Sequence, residues 1–127
     1  MPRDSSDRAD PGDAALLHDM AEACARIERF IAGKALADYQ ESDLLRSAVE
    51  RQIEIIGEAA RRLSAGFRDA HPEVPWRPII AQRNILAHEY GEIEHRLIWR
   101  VASVHVPALA VQLRNLRSTG GMSPPPA

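Results

Sequence analysis

Residues 43–63 read DLLRSAVERQIEIIGEAARRL, and this stretch decides the fold class. Its apolar positions are Leu44, Leu45, Ala48, Val49, Ile53, Ile55, Ile56, Ala59, Ala60 and Leu63. They recur at three- and four-residue steps rather than alternating, which is the period of an amphipathic helix. Laid out at ~100° per residue they cover roughly half the circumference, a wider arc than one neighbour needs. A helix covered from two sides, inside a bundle or across a dimer interface, accounts for that width. Ser42 precedes the stretch as a candidate N-cap.

Upstream, Leu16, Leu17, Met20, Cys24, Ile27 and Ile31 form a narrower stripe, which predicts a helix over 13–31 with Gly33 just past its end. Downstream comes a proline-rich connection, His71-Pro72-Glu73-Val74-Pro75-Trp76-Arg77-Pro78. Proline is tolerated in a first helical turn, so Pro78 can open a third helix over 77–89, with Gly91 after it. A fourth helix is expected over 93–117, and Glu92 and Glu94 suit the positive end of its dipole. Pro107 lies inside that helix and is expected to kink or split it. Short connections between such helices imply an all-α, antiparallel up-and-down four-helix bundle. The domain is expected over 13–117, between disordered tails at 1–12 and 118–127.

Composition narrows the function classes. The 127 residues suffice for one core. Aromatics make up only 5%, which favours helix over sheet. Net charge is −2, so any nucleic-acid contact must be local, made by a few arginines in a cleft. Cys24 is the one cysteine, which excludes an intrachain disulfide and points to a reducing compartment. The charged N-terminus does not read as a signal peptide, and no apolar run is long enough to span a membrane. A cytoplasmic protein is therefore expected. No Cys/His cluster or carboxylate pair at metal-ligand spacing contradicts a site without metal or cofactor. Trp76 and Trp99 are expected as core or interface anchors, and Glu58 and Arg62 stand four residues apart, a pairing distance on a helix.

The third helix carries an anomaly. Ile79, Ile80, Leu86 and Ala87 fall on one side of its wheel, and Arg83 lies in the middle of that apolar arc. An arginine there needs a carboxylate from a neighbouring helix, a cleft or a ligand, because burying it unpaired is very costly. His88 falls near Asn84 on another wheel direction, where the helix end favours imidazolium. It is suited either to cap the helix or to move a proton. Tyr90 returns close to the direction of Arg83 if the helix continues.

Read as one unit, Arg83-Asn84-Ile85-Leu86-Ala87-His88-Glu89-Tyr90 resembles the Arg…His signature of the HEPN superfamily, in the His-x-Tyr form of its HepT-like branch. Ile55-Ile56-Gly57-Glu58-Ala59-Ala60 is similar to a second segment of that branch, and Pro75-Trp76-Arg77 and Pro107-x-Leu109 also fit. Gln82, where methionine is common, and Gly91, where a larger residue is frequent, depart from the pattern.

The resemblance implies a homodimeric, metal-independent endoribonuclease, the toxin of a type VII-like toxin–antitoxin pair. Its substrate would be RNA such as tRNA or mRNA. Arg83 and His88 would be catalytic, and Asn84 and Tyr90 would bind substrate or support them. The cognate partner would be a minimal nucleotidyltransferase antitoxin that attaches AMP to Tyr90 and disables the cleft. The alternative from another class is a non-catalytic helical subunit for dimerisation or for binding a nucleotidyltransferase. Arg61, Arg62 and Arg68 read as a solvated face, and Arg96 and Arg100 as two cations one turn apart.

Overall fold

The computed structural model describes residues 9–86 and 92–119, with only the backbone described at 83–86, 92–93 and 118–119. Helix α1, Pro11–Ile31, begins where Pro11 needs no amide partner and Asp10 Oδ1 accepts the Asp13 N–H at 2.7 Å. It ends at Gly33, whose φ of 73° is the left-handed conformation that glycine adopts without strain. Helix α3, Asp43–Arg62, starts at Ser42, whose Oγ accepts the Leu45 N–H at 3.0 Å.

Two short helices depart from the four-helix reading. These are α2, Leu36–Glu41, and α4, Ala65–Ala70. Six residues cannot sustain a helix in water, so packing must hold each in place. Tyr39 anchors α2 and Phe67 anchors α4, both fully buried. Arg46 of α3 also donates to the carbonyl oxygens of Tyr39 and Gln40, tying α2 to the start of α3.

The chain continues with α5, Trp76–Leu86, then α6, Glu92–Arg100, a π-helical turn over Val101–His105, and α7, Val106–Thr119. The interruption expected at Pro107 takes the form of this π turn. Proline offers no N–H and its ring would press on the carbonyl one turn earlier. A wider turn just before it, with the Val106 N–H bonded to the Val101 carbonyl, relaxes that conflict. The helices extend past the expected domain bounds of 13 and 117: Pro11 and Gly12 belong to α1, and Ser118 and Thr119 to α7, while 1–8 and 120–127 lie outside the described residues. In α5 the helix is described to Leu86, and the expected continuation over 87–89 lies outside the described residues.

Long helices run up and down. Asp13 at the start of α1 bonds to Ser64 beyond the end of α3, so these two are antiparallel. Arg117 near the end of α7 reaches His18 near the start of α1 at 3.2 Å, so these two are antiparallel as well. The indole Nε1 of Trp76 donates to the His71 carbonyl at 2.9 Å, which ties the start of α5 to the end of α4. Leu17, Met20, Ile27, Val49, Ile53, Phe67, Ile98 and Leu113 fill the core, each worth about 1.5–3 kcal/mol when buried.

The wide apolar arc of α3 is covered within the chain, by α1 on one side and α5 on the other. Val49, Ile53, Ile56, Ala59 and Ala60 are buried there, while Leu44 stands 82% exposed. The arc therefore calls for two neighbours in the bundle and does not by itself require a second chain. Glu58 accepts from Arg61 at 2.7 Å and 3.1 Å.

Candidate active site

Helix α5 carries the first residues of the motif, Arg83 to Leu86. It packs along α3 and reaches Arg83 and Asn84 in its last turn. The backbone of these two residues is helical, and their side chains, like all of His88 and Tyr90, lie outside the described residues. What the structure describes is the frame around them.

The face of α5 toward the core carries Ile79, which is buried, and Ile80, which is half-buried. Gln82 borders an apolar cavity of about 260 Å³, together with Ile53, Ile56, Ile79 and His105. The π turn brings His105 to that cavity. Gln82 thus replaces the more usual methionine at a mixed apolar and polar wall.

Helix α3 packs against α1, α2 and α5, and α2 meets its N-terminal half through Arg46. That half, with α2 and the start of α6, holds a group of ionisable residues that sequence spacing did not join. Tyr39 has no exposed surface, and its ring lies 6.1 Å from that of His95 and 5.7 Å from that of Trp99. No atom of the described residues hydrogen-bonds its hydroxyl. Burial raises the Tyr39 pKa most, Glu50 adds to that, Arg46 opposes it and Glu94 adds again. Glu50 is raised too, by burial first and then by the like charge of Glu94, against the pull of Arg46 and His95. Glu94 is itself buried and has a partner.

Cys24 lies in the core, and burial, helped by Glu28, pushes its thiol up to about 12. A thiol so fully protonated at neutral pH is a packing residue and not a nucleophile. Among the described residues no group of His, Cys, Asp and Glu could hold a metal ion, and no helix is long and apolar enough to cross a membrane.

On the outer side of α5 an open cleft of about 920 Å³ separates it from α4. Arg68 and Asp69 line one wall, and Trp76, Arg77, Ile80 and Ala81 the other. Arg68, expected with Arg61 and Arg62 on a solvated face, is half-buried and lines the same cleft as Arg77, nine residues away in the chain. No sequence periodicity joins those two arginines, because the turn between them is irregular.

Residues 20–116 match the sequence model of the family described as "Ribonuclease HepT-like". "Probable ribonuclease HepT" of Thermococcus cleftensis is 35% identical over 101 residues, which cover 80% of this chain and 92% of that protein. "Putative RNase MJ1380" of Methanocaldococcus jannaschii is 35% identical over 95 residues, 75% of this chain and 87% of its own. "Putative RNase TTE0752" of Caldanaerobacter subterraneus subsp. tengcongensis is 36% identical over 101 residues, 80% and 89% respectively. No solved structure matches. A match over most of the bundle, joined to the Arg83…His88-x-Tyr90 spacing on α5 and the segment that follows it, has one reading: the chain belongs to the HepT-like ribonuclease family.

Proposed function

We propose that this protein is a metal-independent endoribonuclease toxin whose chemistry is carried by Arg83 and His88. The observation that carries the reading is the Arg83-x4-His88-x-Tyr90 spacing, found in a chain that belongs to a ribonuclease family. A 2′-hydroxyl of RNA attacks the adjacent phosphorus, the 5′-oxygen leaves, and a 2′,3′-cyclic phosphate and a 5′-hydroxyl result. Imidazole titrates near working pH, so His88 serves as acid or base. The planar guanidinium of Arg83 meets the developing charge on the phosphoryl oxygens. Asn84 orients His88 or binds a phosphate oxygen, and Tyr90 holds the substrate or stacks on a base.

Each chain supplies one such histidine. A homodimer with the two motif helices near its interface supplies a second, which permits separate acid and base roles. The partner in this reading is a nucleotidyltransferase antitoxin. The Tyr90 hydroxyl attacks the α-phosphorus of ATP, pyrophosphate leaves, and the tyrosine keeps an AMP in the path of RNA. Of the chain's two tyrosines, Tyr39 is fully buried, which leaves Tyr90 as the candidate acceptor. The reading places the protein in the cytoplasm, where RNA and ATP are at hand. Incubating the purified protein with total RNA and with tRNA, beside its His88→Ala variant, tests it. Cleavage by the first and none by the second is the expected result; equal cleavage by both would refute the assignment.

A further inference from the structure

The cleft between α4 and α5 has a role that the motif does not cover. We propose that it is a phosphate-binding subsite for one strand of RNA, with Arg68 and Arg77 gripping the backbone on the way to the motif. The inference rests on the ribonuclease reading and extends it from the reacting phosphate to the strand beside it.

Three observations meet there. First, Arg68 and Arg77 line one open cleft from opposite elements, Arg68 from α4 and Arg77 from the first turn of α5. Planar forks approaching from two sides suit a tetrahedral oxyanion. Second, Arg68 Nε is buried and finds no acceptor among the described residues. A buried N–H without an acceptor is unfavourable, and a phosphate oxygen would supply one. Asp69, the one acidic residue lining the cleft, is exposed.

Third, the cleft leads toward the motif. Ile80 and Ala81 line it, three and two residues before Arg83. Arg77, Ala81 and Asn84 occupy one helical stripe, at steps of four and three residues. From Arg77 to Asn84 the helix rises roughly 10 Å, a span that a short piece of extended strand covers. The volume of about 920 Å³ leaves room for a nucleotide beside the phosphate. A chain of net charge −2 has no general basic surface for RNA, so a local pair of arginines is where its backbone contact belongs.

The test separates binding from cleavage. In full-length protein carrying His88→Ala, a fluorescein-labelled single-stranded RNA oligonucleotide is titrated by anisotropy, with and without Arg68→Gln or Arg77→Gln. Each substitution is expected to weaken binding about five- to tenfold at low salt. Each should also make the slope of log K against log salt shallower by roughly 0.7, one contact on single-stranded nucleic acid. Arg114→Gln, on exposed α7 surface, should change neither. In the cleaving protein the same cleft substitutions should raise KM and leave kcat in place. Arg77 is exposed, so its variant keeps the fold even if that of Arg68 does not. Unchanged affinity in Arg77→Gln would overturn the inference, as would equal weakening by Arg114→Gln or no RNA binding at all. Cleft-dependent binding in a wild-type protein that never cleaves RNA would uphold the subsite and remove the ribonuclease reading.

Discussion

The carboxylate of Asp13, 4% exposed, accepts both the backbone N–H of Ser64 at 2.9 Å and its hydroxyl at 2.8 Å, across fifty-one residues of chain. Ser64 Oγ in turn accepts the Phe67 N–H at 3.2 Å and so caps α4. One buried acid therefore locks the start of α1 to the corner that sets α4, and through α4 the wall that carries Arg68. Asp13→Ala removes the carboxylate that accepts from both the Ser64 N–H and its hydroxyl and should cost about 1–3 kcal/mol, the scale of hydrogen bonds to a charged group. Ser64→Ala loses the cap as well as one of the two bonds and should cost about 1–2 kcal/mol. Urea unfolding measures both. Because the two residues share one network, the double variant should lose less than the sum of the singles.

Glu50 faces the like charge of Glu94 in a partly buried setting, and its pKa lies above the ordinary carboxylate value. The native state thus holds a proton there to higher pH than the unfolded chain does. Its ionisation costs stability as pH rises through that window, and below the ordinary carboxylate pKa the penalty is gone. Glu50→Gln should raise the melting temperature at pH 7, with the gain shrinking toward zero as pH falls below 4. Thermal melts of both proteins across pH 3–8 check the sign; a Gln variant that is less stable at pH 7 would show that Glu50 has a stabilising cation.

For the reacting residues, His88→Ala and Arg83→Ala should each lower RNA cleavage by at least about a hundredfold, the scale of a lost acid/base or charge-stabilising group. Far-ultraviolet circular dichroism of both variants should remain helical. Cleavage should persist in EDTA and leave 2′,3′-cyclic phosphate ends. Full inhibition by EDTA would point to a metal nuclease instead.

Co-expression with the cognate nucleotidyltransferase should add one or more AMP units at Tyr90 and silence cleavage. Tyr90→Phe should escape the modification, and Tyr39, enclosed by His95 and Trp99, should stay unmodified. Intact-mass and peptide spectra decide this. An adduct confined to Tyr39 would mean that the modification reaches the core of the unfolded chain and not the motif.

Light scattering at micromolar concentration should give twice the mass of one chain. A single-chain mass in a protein that still cleaves RNA would require acid and base from one protomer.

Four long helices were legible in the residue pattern because each carries an apolar stripe long enough to show its period, and Ser42 and Gly33 mark ends by local chemistry alone. The family resemblance was legible as well, since it rests on the order and spacing of Arg83, His88 and Tyr90. Helices α2 and α4 were not, because six residues show no period and exist only where Tyr39 and Phe67 find a core to enter. The width of the α3 stripe stated that two neighbours were needed; only the packing showed that α1 and α5 of the same chain supply them. The sharing of one cleft by Arg68 and Arg77, and the grouping of Glu50 with Tyr39 and Glu94, likewise depend on how an irregular turn and three helices come together in space. Periodicity encodes which face of an element is apolar. Which charged groups then share a cleft is decided by the packing of those faces, because long-range contacts leave no local trace in the chain.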